Sequence, residues 1–242
     1  MNRITNWLQG YWEAKAATVY NKIKRRGQIV YPENLLDSKE HMKIQARKRW
    51  IDAKPDLYLT WNKEVSGDAF IKKVLKYDTF QPNKNILEIG PGYGRLLKAI
   101  LKENLPFKNF YGVDLSAENI SYLKKTFTTP NVHFICGNAE DMQLGITFDM
   151  VISSLTFKHI FPTFEKVLYN VSTHMKKGSM IFFDLIEGNL AIFEEDGTYM
   201  KFYSKSQIKD ILQHSRLELV DFDNVTHSPG RSRLLVIAKR SI

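Results

Sequence analysis

The sequence predicts an α/β fold: a doubly wound, mostly parallel sheet of seven strands, closed by an antiparallel C-terminal hairpin and preceded by a mainly helical extension. Three observations carry this. The apolar run Ile86-Leu87-Glu88-Ile89 passes directly into Gly90-Pro91-Gly92-Tyr93-Gly94, and Leu96, Leu97, Ile100 and Leu101 then recur at helical spacing, so the glycines sit on a strand-to-helix turn. From Asn85 onward strand-like and helix-like segments alternate, as a sheet covered by helices on both faces demands. Two β-rich runs, Leu217 to Val225 and Leu234 to Ala238, flank the turn-prone Ser228-Pro229-Gly230, which predicts the terminal hairpin.

In chain order, residues 1–84 read as the extension and residues 85–242 as the sheet domain. The extension is helical in pattern, with Pro32, Pro55 and Pro82 as punctuation, and is dense in aromatics: Trp7, Tyr11, Trp12, Tyr20, Tyr31, Trp50, Tyr58 and Trp61. After the glycine turn and its helix comes a strand, Phe110 to Asp114. A helix from about Ser116 to Phe127 follows, with Ile120, Leu123 and Phe127 on one face, then the strand Val132 to Cys136. Thr147 to Ser153 is the fourth strand. Pro162 fits a first helical turn, where a missing N–H costs nothing. Val167, Leu168, Val171 and Met175 give that helix its apolar stripe, Gly178 is expected to close it, and Ser179 to Ile186 is the fifth strand. A last helix, about Ser206 to His214, precedes the hairpin.

At 242 residues the chain suits one α/β domain with an appendage. Its single cysteine, Cys136, excludes an intrachain disulfide and is expected to be a small buried hydrophobe. Trp7, Glu13 and Lys15 interrupt any signal-peptide core and no run approaches membrane-spanning length, so the expectation is a cytoplasmic protein. The net charge of +9 is unevenly placed: residues 1–85 hold 17 Lys plus Arg against 9 Asp plus Glu, while residues 86–242 hold 18 against 17. Groups such as Lys22-Lys24-Arg25-Arg26 and Lys43-Arg47-Lys48-Arg49 can face nucleic acid, an acidic small substrate, a partner protein or solvent.

Glycine lacks Cβ, so Gly90, Gly92 and Gly94 let the backbone bend out of the strand and approach a ligand closely. Asp114 ends the next strand, twenty positions beyond Gly94, where a carboxylate can accept both hydroxyls of a ribose. A dinucleotide fingerprint needs Gly-x-Gly-x-x-Gly, whereas here the third glycine comes one place early and Arg95 follows it. The pattern departs from a nicotinamide site.

Glu88 to Gly94, Asp114 with Leu115-Ser116, Gly137-Asn138-Ala139-Glu140-Asp141-Met142 and Phe148-Asp149-Met150-Val151-Ile152 together resemble the successive motifs of class I S-adenosylmethionine-dependent methyltransferases. The resemblance runs from about Asn85 to the C-terminus. It implies a Rossmann-like sheet and S-adenosylmethionine as cofactor. It also implies roles: main chain at Gly90, Gly92 and Gly94 around the methionine part, Glu88 near its amino group, Asp114 on the ribose, Leu115 on adenine, and Asn138, Ala139 and Glu140 beside the base. Family members frequently carry Asp where this chain has Asn138. The aromatic extension resembles the lid of small-molecule methyltransferases, with Tyr58 and Trp61 as its candidates.

On the acceptor side, His159 follows the fourth strand, where family members often put a histidine, and an imidazole can take a proton near neutral pH. Asp184 is a candidate for holding an amine or hydroxyl, and His227, Arg231 and Arg233 for contacting an anionic acceptor. Six scattered histidines show no ligand spacing, so no metal is expected. Adenine N6 and cytosine C5 methylation of nucleic acid are disfavoured: Ser153-Ser154-Leu155-Thr156 stands where the first would need Asn/Asp-Pro-Pro-aromatic, and Cys136 lies away from where the second would need its nucleophile. The expected function is methyl transfer to an oxygen or nitrogen of a small metabolite or sugar derivative, anionic or neutral. The alternatives are an RNA methyltransferase using the basic extension and a non-catalytic scaffold of the same fold.

Overall fold

The computed structural model describes residues 36–55, 66–193, 197–227 and 232–241. Tyr58, Trp61, Arg231 and the turn Ser228-Pro229-Gly230 lie outside them.

Five parallel neighbours form the centre of the sheet: β1 (Asn85–Ile89), β2 (Asn109–Asp114), β3 (Val132–Cys136), β4 (Phe148–Ser153) and β5 (Met175–Glu187), in the order β3-β2-β1-β4-β5. Beyond β5 the sheet turns antiparallel, with β9 (Ser232–Arg240) on β5 and β8 (Leu217–Thr226) on β9. These are the seven strands expected. Two short strands were not: β6 (Ala191–Phe193) and β7 (Tyr199–Tyr203) pair with each other, and β7 joins the end of β5 through Ile186↔Phe202 and Glu187↔Tyr203, making nine strands among the described residues. Their runs of three and five residues are too short to read as strands from periodicity.

Helices cover both faces. On one side α2 (Asp68–Val74), α3 (Arg95–Lys102) and α4 (Ala117–Thr126) bury Phe70, Ile71, Leu96, Leu97, Ile100, Ile120 and Leu123 against Ile86, Met150 and Phe182. On the other, α5 (Glu165–Thr173) and α6 (Lys205–His214) bury Val167, Leu168, Ile208 and Leu212 against Val151, Ile181 and Val236. Local signals set the helix starts. Ser116 accepts from the Asn119 N–H, and Ser204 forms a capping box with Gln207, one residue or so from the expected boundaries.

Some expectations fail. Pro162 precedes α5 rather than opening it, behind a cis Phe161–Pro162 bond. Met175, expected on the helix's apolar stripe, and Gly178, expected to end it, both lie in β5, the glycine with φ +79; the helix stops at Thr173 because the chain is already drawn into the sheet by Phe148↔Met175 pairing. Cys136 is exposed, because it caps an edge strand where the sheet has no further neighbour.

From the extension, α1 (Leu36–Ile51) docks on the loops at the C-terminal ends of the strands, burying Met42 and Ala46 against Phe161 and Tyr199. It is the element that turns an open crevice into a cavity.

Candidate active site

In an open α/β sheet the ligand crevice lies beyond the carboxyl ends of the strands, where the chain order reverses. Here β1 sits between β2 and β4, so the reversal falls at the glycine turn. A cavity of about 590 Å³ opens there, walled by Glu88, Gly90, Gly92, Asp114, Leu115, Asn138, Ala139 and Glu140 on one side and roofed by Ala46, Arg47 and Trp50 of α1.

The three glycines are required for different reasons. All have positive φ: +70 at Gly90, +58 at Gly92 and +85 at Gly94. A Cβ on Gly90 would lie 2.4 Å from Thr156 Oγ1, and one on Gly94 would lie 2.4 Å from the Phe127 ring, so both are fixed by packing within the protein. A Cβ on Gly92 meets nothing within 4 Å. Its backbone faces the cavity, and its N–H donates to Asp114 Oδ2 at 3.0 Å. Gly94 is not among the residues lining the cavity; it is the left-handed residue that starts α3 against α4.

Glu88 is 2 % exposed, and its Oε2 has no hydrogen-bond partner among the described residues. Burial pushes its pKa up to about 8; Arg95 pulls the other way and Asp114 adds to the rise. Asp114 is the best-satisfied carboxylate of the turn, accepting from the N–H groups of Gly92 and Ser116 (3.0 and 2.9 Å) and from Asn119 Nδ2 at 3.3 Å. Burial raises its pKa, against those three hydrogen bonds. Leu115 and Ala139, with Ile89 and Val167, give the cavity an apolar slot.

Asn138 and Glu140 line the cavity but have other partners. Asn138 Oδ1 accepts from the Glu140 N–H at 3.1 Å, and its Nδ2 reaches Asp141 at 3.4 Å. Glu140, 9 % exposed, pairs with Arg47 at 3.0 Å, Lys166 at 3.6 Å and Lys43 at 3.9 Å. Two of those cations come from α1, so this carboxylate ties the roof to the loop after β3.

Across the cavity, His159 lies in a short 3₁₀ turn (Phe157–His159), with its Nδ1 2.6 Å from the Tyr199 carbonyl and its ring 4.6 Å from that of Trp50. A carbonyl only accepts, so Nδ1 carries the proton and Nε2 is bare. Burial, then the charges of Lys158, Arg233 and Arg49, bring its pKa down to about 3 against the opposing Tyr199 carbonyl. That environment suits a hydrogen-bond acceptor better than a base near neutral pH, since the imidazolium would be strongly disfavoured.

Asp184 on β5 is fully enclosed. Its Oδ2 is 2.8 Å from His227 Nε2 and 2.5 Å from Ser154 Oγ, and its Oδ1 accepts from the Leu155 N–H at 2.8 Å. Burial alone would raise its pKa, but His227, Lys158 and Ser154 hold it down to about 2. Asp184 itself does not line the cavity, whereas His227, Arg233, Lys158 and Ser154 do.

Sequence reasoning did not single out Trp50 as a site residue, nor Ser154, Lys158, Thr198 and Met200, all of which line the cavity. Arg95, read only as a break in a dinucleotide pattern, is buried and donates to Ser154 Oγ at 2.7 Å and to the Ser66 carbonyl at 3.1 Å. Its place one residue after the last glycine, at the start of a helix under the turn, was the available signal.

The residues present fit S-adenosylmethionine. An orphaned buried carboxylate, Glu88, suits an ammonium, an open glycine backbone admits close approach at Gly92, and Asp114 lies beside an apolar slot.

Comparison with known proteins agrees with this geometry. Residues 86–178 match the family described as a methyltransferase domain. Malonyl-[acyl-carrier protein] O-methyltransferase of Priestia megaterium is 29 % identical over 158 residues, 65 % of this chain and 51 % of that protein. Ribosomal RNA small subunit methyltransferase A of Prochlorococcus marinus is 31 % identical over 109 residues, 43 % of this chain and 38 % of that protein. The chain thus spans about half the length, or less, of these curated relatives. The crystal structure of Burkholderia thailandensis 1,6-didemethyltoxoflavin-N1-methyltransferase, with bound 1,6-didemethyltoxoflavin and S-adenosylhomocysteine, superposes with a TM-score of 0.68 over 89 % of this chain and 99 % of that one. At 14 % identity this likeness is one of fold.

Proposed function

We propose, for a chain whose residues 86–178 match a methyltransferase-domain family, that this protein is an S-adenosylmethionine-dependent enzyme that transfers a methyl group to an oxygen or nitrogen of a small metabolite or sugar derivative, anionic or neutral. The observation that carries the reading is the cavity joining the glycine turn to a wall of Lys158, Arg233, Trp50, Phe161 and Met200. At about 590 Å³ it falls within the roughly 300–1,000 Å³ of small-molecule sites.

S-adenosylmethionine supplies, when bound, an electrophilic methyl carbon on a sulfonium, so no covalent enzyme intermediate is required. The chain's own residues bind and align. Glu88 holds the ammonium end, Gly92 offers its backbone, Asp114 takes the ribose hydroxyls, and Leu115 and Ala139 flank the base, with Asn138 at its edge. The roof formed by α1 keeps water from the reacting atoms, and alignment within such a site is where most of the rate arises. His159 Nε2 and the cations Lys158 and Arg233 orient the acceptor.

Calorimetry of the full chain tests this directly. S-adenosylhomocysteine is expected to bind and NAD not to. Asp114→Ala should weaken the former by about 1–3 kcal/mol, the scale of lost charge-assisted hydrogen bonds. Absence of S-adenosylhomocysteine binding would leave a scaffold of this fold.

A second reading, methylation of RNA, draws on the basic extension and on the relative named as a ribosomal RNA methyltransferase. Retention of the chain on single-stranded RNA that falls steeply with salt would favour it; salt-independent indifference to RNA favours the small acceptor.

A further inference from the structure

The cluster around Asp184 has features that binding alone does not require. It gathers at the C-terminal ends of β4 and β5, where ligands meet this kind of sheet. Arg95 donates to Ser154, Ser154 donates to Asp184, and Asp184 accepts from His227, giving a continuous chain of hydrogen bonds from the residue after the glycine turn to the far wall. Leu155, which supplies the backbone N–H to Oδ1, does so from a left-handed conformation with φ +62, uncommon for a leucine and a form of local strain that gathers at functional sites.

Because Asp184 is ionised, it can only accept, so the proton between it and His227 resides on Nε2. In the neutral imidazole, the form a base requires, His227 Nδ1 then holds the ring's bare lone pair. That atom is buried and has no hydrogen-bond partner among the described residues, and His227 lines the cavity. An unpartnered, oriented imidazole nitrogen backed by a buried carboxylate is the arrangement that accepts a proton and stabilises the resulting charge.

We propose that His227, positioned by Asp184, is the general base of the methyl transfer, and hence that the acceptor is one whose attacking oxygen or nitrogen carries a proton that must leave. The proposal rests on the methyltransferase reading above. As the acceptor's lone pair bonds to the methyl carbon and the carbon–sulfur pair passes to sulfur, Nδ1 takes the acceptor's proton. The imidazolium so formed faces the Asp184 carboxylate, with Lys158 the other charge acting on that carboxylate, and loses its proton to solvent after the product departs. Hydroxyl, phenol and N–H heterocycle acceptors satisfy this requirement; an acceptor attacking through a carboxylate or a tertiary amine has no need of it.

The Asp184→Asn variant discriminates position from packing. Leu155 N–H needs an acceptor at the Oδ1 place, so the amide oxygen of the variant goes there and its NH₂ faces His227 Nε2. Nε2 must then accept, and the proton moves to Nδ1. Nitrogen-15 spectra of histidine-labelled full chain report this without turnover. In the wild type, His227 is expected to show a protonated Nε2 and the large downfield shift of a bare Nδ1. In Asp184→Asn that downfield signal should be lost from Nδ1 and appear at Nε2. Adding phenol or imidazole as small donor probes to the S-adenosylhomocysteine complex should move the wild-type Nδ1 resonance.

A wild-type proton on Nδ1, an unchanged tautomer in the folded variant, or an Nδ1 indifferent to both probes would overturn the proposal. Calorimetry with S-adenosylhomocysteine on the same samples separates the two ideas. Loss of binding removes the methyltransferase reading, whereas intact binding with the wrong tautomer removes His227 alone.

Discussion

At Glu88 the chain keeps a carboxyl where water does not reach, and the consequence is measurable. Its pKa near 8 lies above the ordinary 4.5. The folded state therefore prefers the neutral acid, so this contribution to stability is fully present below about pH 4.5 and is lost as pH rises through about 8, on the order of a few kcal/mol in all. In Glu88→Gln that part of the pH dependence should vanish from urea unfolding curves. An ammonium placed against Glu88 would ionise it. S-adenosylhomocysteine binding at pH 7 should then release up to about one proton, read as a dependence of the calorimetric heat on buffer ionisation enthalpy and absent in Glu88→Gln. Gly92→Val makes a complementary prediction: its side chain would project into the cavity from a φ of +58, so S-adenosylhomocysteine binding should be abolished while circular dichroism stays near wild type. These residues were legible because each belongs to one turn and its two flanking strands. Gly94 was legible as a glycine but not in its role, since the Phe127 ring that demands it comes from the next helix.

Among the elements, α1 decides how closed the site is. Its ties include Met42 and Ala46 in a small apolar cluster, Arg49 to Thr198 Oγ1 at 3.2 Å, the Trp50 ring 4.6 Å from that of His159, and the cations Lys43 and Arg47 on Glu140. Removing the shared anion in Glu140→Gln should loosen the helix by about 1 kcal/mol, so that amide exchange in residues 40–51 quickens about five-fold while β1 to β5 keep their protection. Equal protection in the variant would show that apolar packing alone holds the roof. The helix could be read from the sequence, but its docking site could not. Glu140 matched a motif for the adenine edge, and nothing in its local pattern announced the 93-residue contact to Arg47. Likewise β6 and β7 went unread, because strands of three and five residues are set by their pairing with each other and by that of β7 with the end of β5.

For the molecule as a whole, β1, β4 and β5 send side chains to two separate cores, one on either face of the sheet, while the cavity at the carboxyl ends of the strands is a void that a ligand can fill. A ligand at 100 times its Kd adds about 2.7 kcal/mol. At roughly 2–4 °C per kcal/mol for a chain of this size, saturating S-adenosylhomocysteine should raise the Tm by on the order of 5–10 °C in a thermal melt, and an unmoved Tm would count against the cavity as its site. Among the described residues no helix is long and apolar enough to cross a membrane.

What the sequence by itself determined is the glycine-turn side of the cavity: the parallel core, the glycine turn and the carboxylates at 88 and 114 all follow from local periodicity and from backbone needs that only glycine meets. Tertiary structure alone decided the opposite wall. His227 reaches Asp184 because β9 pairs with β5 at Leu235↔Asp184 and carries the end of β8 along with it, and His159 meets Trp50 because α1 crosses the strand ends. Propensity and pattern describe neighbours along a chain, whereas those convergences depend on register and docking between segments far apart in it.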